Sequence, residues 1–170
     1  ITHRVTSCDK VKQLTNAVLR APKQYFTGEK NLPLLQLDIK YQDWMKIVAD
    51  RNKALALGQI PEQRAQVKAS ISYLQKKHNA KVRLQGDLLD HVEASDRWSL
   101  RIEIKGKNTL FGVKRFALLS PHLRGNQAPI LFTQTLKLAE FDIINPKYVV
   151  VKLLVNGTSW GTMLLEEVFS

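Results

Sequence analysis

Val67-Lys68-Ala69-Ser70-Ile71-Ser72-Tyr73 and Ala80-Lys81-Val82-Arg83-Leu84-Gln85 alternate apolar and polar residues over two neighbouring stretches. A period of two places Val67, Ala69, Ile71 and Tyr73 on one side of an extended chain and Lys68, Ser70 and Ser72 on the other. The second stretch repeats the pattern, with Ala80, Val82 and Leu84 against Lys81, Arg83 and Gln85. The two read as a hairpin with one apolar face and one polar, basic face, turning at Lys76-Lys77-His78-Asn79. Gln and Ala would also suit a helix over 63–75, but the alternation decides for strands.

The same period returns downstream. Leu100, Ile102 and Ile104 alternate with Arg101, Glu103 and Lys105, before a turn at Gly106-Lys107-Asn108. A further strand is expected over 112–119. Tyr148 to Val155 is apolar except for Lys152, as in a strand covered on both faces. Asn156-Gly157 then gives the best hairpin signal in the chain, because both central residues of a type I′ turn need positive φ; the partner strand is expected over 159–168. Upstream, Leu32 to Ile39 alternates and reads as a strand. Gln42 to Leu57 places Trp44, Ile47, Val48 and Leu55 at helical intervals, has Asp43 in its first turn, and ends at Gly58. Pro129 suits the first turn of a second helix running to Phe141. A short helix is expected over 7–20. The sum is an α+β domain over 32–170, with a mostly antiparallel, twisted sheet of about six to eight strands and two main helices, behind an amino-terminal arm or linker over 1–31.

The chain has 170 residues, 44% hydrophobic and 24% charged, enough for one domain with a sizeable core. Patterned apolar blocks exclude disorder, and six prolines and eight glycines are too few for a low-complexity linker. Cys8 is the single cysteine, so it has no internal disulfide partner, and no His partner for a thiol nucleophile lies near it. No apolar run reaches the length of a membrane-spanning helix and no signal peptide opens the chain; it begins at Ile1 rather than Met, from which a removed upstream segment is expected. The net charge is +11, and residues 1–85 carry most of it, with 16 Lys and Arg against 6 Asp and Glu, whereas 86–170 carry 10 against 9. Such a basic half attracts polyanions. Nucleic acid is disfavoured as the partner, because the lysines come singly or in pairs and no aromatic residues are interleaved as stacking platforms.

Walker, G-x-G-x-x-G, G-x-S-x-G and H-E-x-x-H motifs are absent from the sequence. Asn156-Gly157-Thr158 matches a glycosylation sequon, which the tight turn already explains. Asp87, Asp90 and His91 lie close enough in sequence to be weighed as ligands of a hard cation, against the plainer reading of a polar loop. Arg83, Arg101 and Lys105 are expected on one kind of sheet face, where cationic side chains hold phosphate oxygens, or where Glu103 simply serves as counter-ion. Glu166-Glu167 ends the last strand, either at a solvent edge or against a basic residue.

In chain order, Lys81-Val82-Arg83-Leu84-Gln85-Gly86-Asp87, Asp90-His91, and Arg97-Trp98-Ser99-Leu100-Arg101-Ile102-Glu103-Ile104 resemble the CotH family of atypical protein kinases, first known from spore-coat proteins. Thr109-Leu110-Phe111-Gly112-Val113-Lys114-Arg115-Phe116 with Ser120-Pro121, and Val155-Asn156-Gly157 with Gly161 and Leu165-Glu166-Glu167-Val168-Phe169, continue the likeness over about half the chain. The resemblance implies transfer of the γ-phosphoryl of ATP, with Mg²⁺, to Ser or Thr of a protein substrate. It implies an extracytoplasmic protein of the periplasm or cell envelope, with a membrane tether upstream of Ile1. It matches Arg83, Arg101 and Lys105 to positions facing nucleotide phosphates, and Glu166 and Glu167 to the acidic strand end. Residues 32–170 then correspond to the nucleotide-side portion of such a kinase. Its catalytic aspartates are expected beyond residue 170, so this portion is expected to be inactive alone. Ile130-Leu131-Phe132 departs from the family's polar and aromatic signature. The alternative from another class is a non-catalytic binding module for an anionic polymer or protein partner.

Overall fold

The computed structural model describes residues 32–140 and 143–169. Along them run strands β1 (Leu34–Ile39), β2 (Val67–Tyr73), β3 (Lys76–Leu84), β4 (Leu100–Ile104), β5 (Arg115–Leu119), β6 (Tyr148–Val155) and β7 (Thr158–Glu167). Helix α1 (Tyr41–Leu57) follows β1 and helix α2 (Ala128–Leu138) precedes β6, with 3₁₀ turns at Leu89–His91 and Pro121–Arg124. The α+β class is as the sequence predicts. The helix expected over 7–20 lies outside the described residues.

The twisted sheet closes on itself, in the order β1-β2-β3-β4-β5-β7-β6, and β6 returns to β1 as the one parallel pair among the described residues. The expected mostly antiparallel, twisted sheet of six to eight strands is thus corrected to a closed barrel of seven described strands. Alternation tells which face of a strand is buried but carries no information about its edges, and closure satisfies the rows of N–H and C=O groups that β1 and β6 would otherwise leave open. Leu35 stands opposite Leu153 and Leu37 opposite Val155 along this seam. Asn156 pins its end, donating its backbone N–H to Leu37 O at 2.9 Å and accepting the Ile39 N–H on Oδ1 at 2.7 Å. The residue that makes the turn also locks the barrel.

The β2–β3 hairpin forms, but its turn is Leu74-Gln75 rather than 76–79. Tyr73 pairs with Lys76, and the two loop residues take φ of 46° and 63° without a glycine or asparagine. Lys77 and His78 therefore continue the strand, with His78 opposite the buried Ile71. The strand expected over 112–119 starts only at Arg115, because Leu110 and Val113 first bond to each other across a tight turn. β6 is not buried on both faces: Val151, Leu153 and Val155 point into the barrel, while Val150, Lys152 and Leu154 are partly exposed on its outside. Its apolar run reflects a partly sheltered outer surface, not a second core.

Inward residues from every strand meet in one core, among them Leu37, Ile71, Val82, Ile102, Phe116, Leu153 and Leu165. α1 packs against β2 and β3 and buries Ile47 and Ala54 completely. Leu55, expected on its buried stripe, is 40% exposed, the neighbouring Ala54 having taken the inward place. Gly58, at φ 77°, ends the helix. Where β1 leads into α1, Trp44 stacks on Trp98 at 5.1 Å and Trp160 meets both edge-on. Arg51 lies 4.8 Å over the Trp98 ring and donates to the carbonyls of Val92 and Ala94, tying α1 to the loop before β4.

Candidate functional site

The outer surface of the barrel carries the polar half of the alternation, and register decides which of its side chains meet. Arg83 on β3 is the direct cross-strand partner of Arg101 on β4. Arg101 in turn faces Ala117 on β5, Ala117 faces Glu166 on β7, and Glu166 faces Tyr148 on β6. One row across five strands thus runs from two arginines, over a small side chain, to a carboxylate.

At the cationic end, directly opposite side chains start about 5 Å apart, a placement that disfavours two like charges. Neither Arg83 nor Arg101 has a carboxylate or hydrogen-bond partner among the described residues. Arg64 adds a third guanidinium: its side chain is only 7% exposed, and it donates to Leu84 O and to Asp87 Oδ1 at 3.3 and 3.2 Å and also to Gly86 O. Burial, then the charges of Arg64 and Arg101, push the Arg83 guanidinium below its ordinary pKa. A bound anion would relieve that electrostatic cost.

Gly86 shapes the rim. Its φ of 95° belongs to the left-handed side of the map, and a Cβ there would stand 2.0 Å from Cδ2 of His91. The His91 ring lies flush against the backbone after β3 and shares a 2.8 Å hydrogen bond between Nδ1 and Ser99 Oγ. Burial is the main cause holding the His91 pKa below its usual value, with Arg124 pushing the same way and Asp90, Asp87 and Glu166 opposing.

The acidic end is internally satisfied. Glu166 accepts from Arg124 Nε at 2.9 Å and from the Tyr148 hydroxyl at 3.2 Å. Burial, with the Glu166 carboxylate beside it, raises the Tyr148 pKa and keeps the phenol a donor. Ser120, where the chain leaves β5, shares a 2.8 Å hydrogen bond between its Oγ and His122 Nδ1.

Of the residues singled out from sequence, the row brings together Arg83, Arg101 and Glu166. Lys105 shares their face but sits two alternations along β4 from Arg101, where its ammonium binds Glu103 at 3.0 Å. Glu103 is thus the counter-ion of Lys105 and leaves both arginines unmatched. Glu167 points to the opposite side of β7 from Glu166, and its Oε2 accepts the backbone N–H of Lys147 at 3.1 Å. The sequence cluster Asp87, Asp90 and His91 does not converge: Asp87 turns to Arg64 and His91 to Ser99, and among the described residues no three His, Cys, Asp or Glu side chains form a group. Arg64, Arg124 and Tyr148 were not legible as site residues, since none falls in an alternating or motif-bearing stretch beside its spatial partners.

Compared with known proteins, the chain matches no family model and no curated protein.

Proposed function

We propose that this barrel is the nucleotide-side portion of a CotH-like phosphotransferase, with Arg83 and Arg101 holding the phosphate oxygens of ATP. The observation that carries the reading is the pair itself, two guanidiniums in direct register on a rigid sheet, both without counter-ions among the described residues. Phosphoryl transfer asks the protein mainly to position the phosphates and to neutralise developing charge, and a guanidinium presents paired donors that suit phosphate oxygens.

Arg64 positions the Gln85-Gly86-Asp87 rim beside the pair through its bonds to Leu84, Gly86 and Asp87. Glu166, held by Arg124 and Tyr148, closes the far end of the row as a fixed negative charge. Mg²⁺ would accompany the nucleotide and shield its phosphates; the described residues offer it no three-ligand group, so its protein ligands and the aspartates that orient an acceptor hydroxyl belong, on this reading, to sequence beyond residue 170. The protein Ser or Thr substrate and an extracytoplasmic setting are parts of the same proposal.

Calorimetric titration with tripolyphosphate and with Mg-ATP tests it. Saturable binding of both is expected, weakened at least roughly tenfold in Arg83→Gln and Arg101→Gln with no drop in melting temperature. Binding unchanged in both variants would overturn the assignment of the phosphates to this pair.

A further inference from the structure

The outer face of the barrel has a second basic region that the arginine row does not use. One row further from Arg83 and Arg101, Lys68 on β2 is the direct partner of Lys81 on β3, a second like-charge pair in register. Beside it a groove of about 700 Å³ opens between the first turn of α1 and the outer faces of β1, β2 and β3. Lys40, Lys68 and Lys77 line it and have no ion-pair partner among the described residues. Its fourth lysine, Lys46, is bound to Asp43 at 2.7 Å, and Asp38 takes a hydrogen bond from Gln36.

Like charges directly opposite on a sheet are destabilising; Glu103, which faces Lys81 from β4, is already bonded to Lys105 at 3.0 Å, and Lys68 has no ion-pair partner among the described residues. Four unpaired lysines along one bare face are complementary to a ligand that brings spaced negative charge. Between them stand Ser70 and Asn79, directly paired across β2 and β3, whose side chains can bond a backbone. A nucleic acid would lack a stacking partner here, because the groove lining contains no aromatic residue. A membrane would find no large apolar side chain to take up, since the apolar members of the lining are Val67 and Ala69 on the strand. The carboxylates of Asp38 and Asp43 also interrupt the positive field, which suits separated acidic side chains better than an unbroken phosphate backbone. Residues 1–31 of the chain carry six Lys and Arg against two Asp and Glu, the wrong sign to fill the groove.

We infer that this groove, extended over Lys81, is a docking surface for an acidic segment of a partner polypeptide. The inference stands apart from the phosphate assignment, because Lys68 and Lys81 belong to a different row of the sheet from Arg83 and Arg101.

The test is fluorescence anisotropy of a labelled peptide of alternating glutamate and glycine, titrated with the full chain at low salt and again at physiological salt. Saturable binding is expected, weaker in salt. It should fall roughly tenfold or more in Lys68→Gln/Lys81→Gln, and further in Lys68→Glu/Lys81→Glu, while Arg83→Gln/Arg101→Gln stays within about twofold of the parent. Melting curves confirm that each variant is folded; should the charge-reversed variant unfold, the glutamine variant carries the comparison. No binding by the parent, equal loss in the arginine variant, or tighter binding of single-stranded DNA of matched charge or of anionic vesicles would overturn the inference.

Discussion

Two halves of one barrel exterior are built from the same alternating strands and end in opposite states. Over β5 and β7 the chain covers itself: the turn Pro121–Arg124 packs on β7, Leu119 and Leu164 are buried although they point away from the core, and the one carboxylate in the row is bonded by both Arg124 and Tyr148. Over β2, β3 and β4 the outward cations make no such bonds: Arg83 faces Arg101 and Lys68 faces Lys81 without a salt bridge among the described residues, and the Glu103 opposite Lys81 is held by Lys105. The first half shows what a self-sufficient polar surface looks like in this protein. The contrast marks the second half as the one on which both proposed binding sites rest, since its arginine and lysine pairs have no salt bridges among the described residues.

The sharpest test of the shared scaffold lies between the halves, at Gly86. Gly86→Ala forces a side chain into the His91 ring and into a left-handed φ, and should destabilise the protein by about 3 kcal/mol, read by denaturant unfolding. His91→Ala placed on top should recover part of that loss by removing the ring, and no recovery would mean the backbone angle is the whole cost.

Truncation at matched outward positions probes coverage directly. Leu164→Ala should cost about 2–3 kcal/mol, as in a core, whereas Lys81→Ala on the bare half should stay within about 0.5 kcal/mol. Similar losses at both positions would erase the distinction between the halves.

Removing the carboxylate charge at the satisfied end should be milder. Glu166→Gln keeps an acceptor for Tyr148 but leaves Arg124 without its ion pair, and about 1 kcal/mol is expected from chemical unfolding. In the same variant the Tyr148 phenol should titrate at lower pH than in the parent, followed by its ultraviolet absorbance, because one cause of its raised pKa is gone.

The smallest effect is in acid. His91 has a depressed pKa in the fold, so the unfolded chain binds the proton more readily and stability rises with pH across the window. Its contribution is fully present above the unfolded value of about 6.5 and is lost as pH falls through the lower folded value. A melting temperature that declines from pH 7 downward, with a shallower decline in His91→Gln, is the expected result. Equal slopes would mean that His91 is not a source of the acid-side loss of stability.

The elements themselves were readable because their determinants are local. Alternation in 67–73, 80–85 and 100–104 depends only on which face each residue shows, and Asn156-Gly157 marks its turn through positive φ that two adjacent residues supply. Leu74-Gln75 turns just as tightly without any such marker, so its position followed from pairing and not from composition.

What the sequence by itself determined is therefore the α+β content, the inward face of each strand and the presence of basic side chains at 83 and 101. Tertiary structure alone decided that the sheet closes, that Arg83 meets Arg101 while Lys105 is spent on Glu103, that Glu166 and Glu167 part to opposite faces, and that Arg64 and Arg124 come to the row from outside the strands. The physical reason is one of range. Side-chain period is set within a few residues along the chain, whereas register and closure are set by hydrogen bonds between strands that the sequence separates by as much as the span from Leu34 to Lys152.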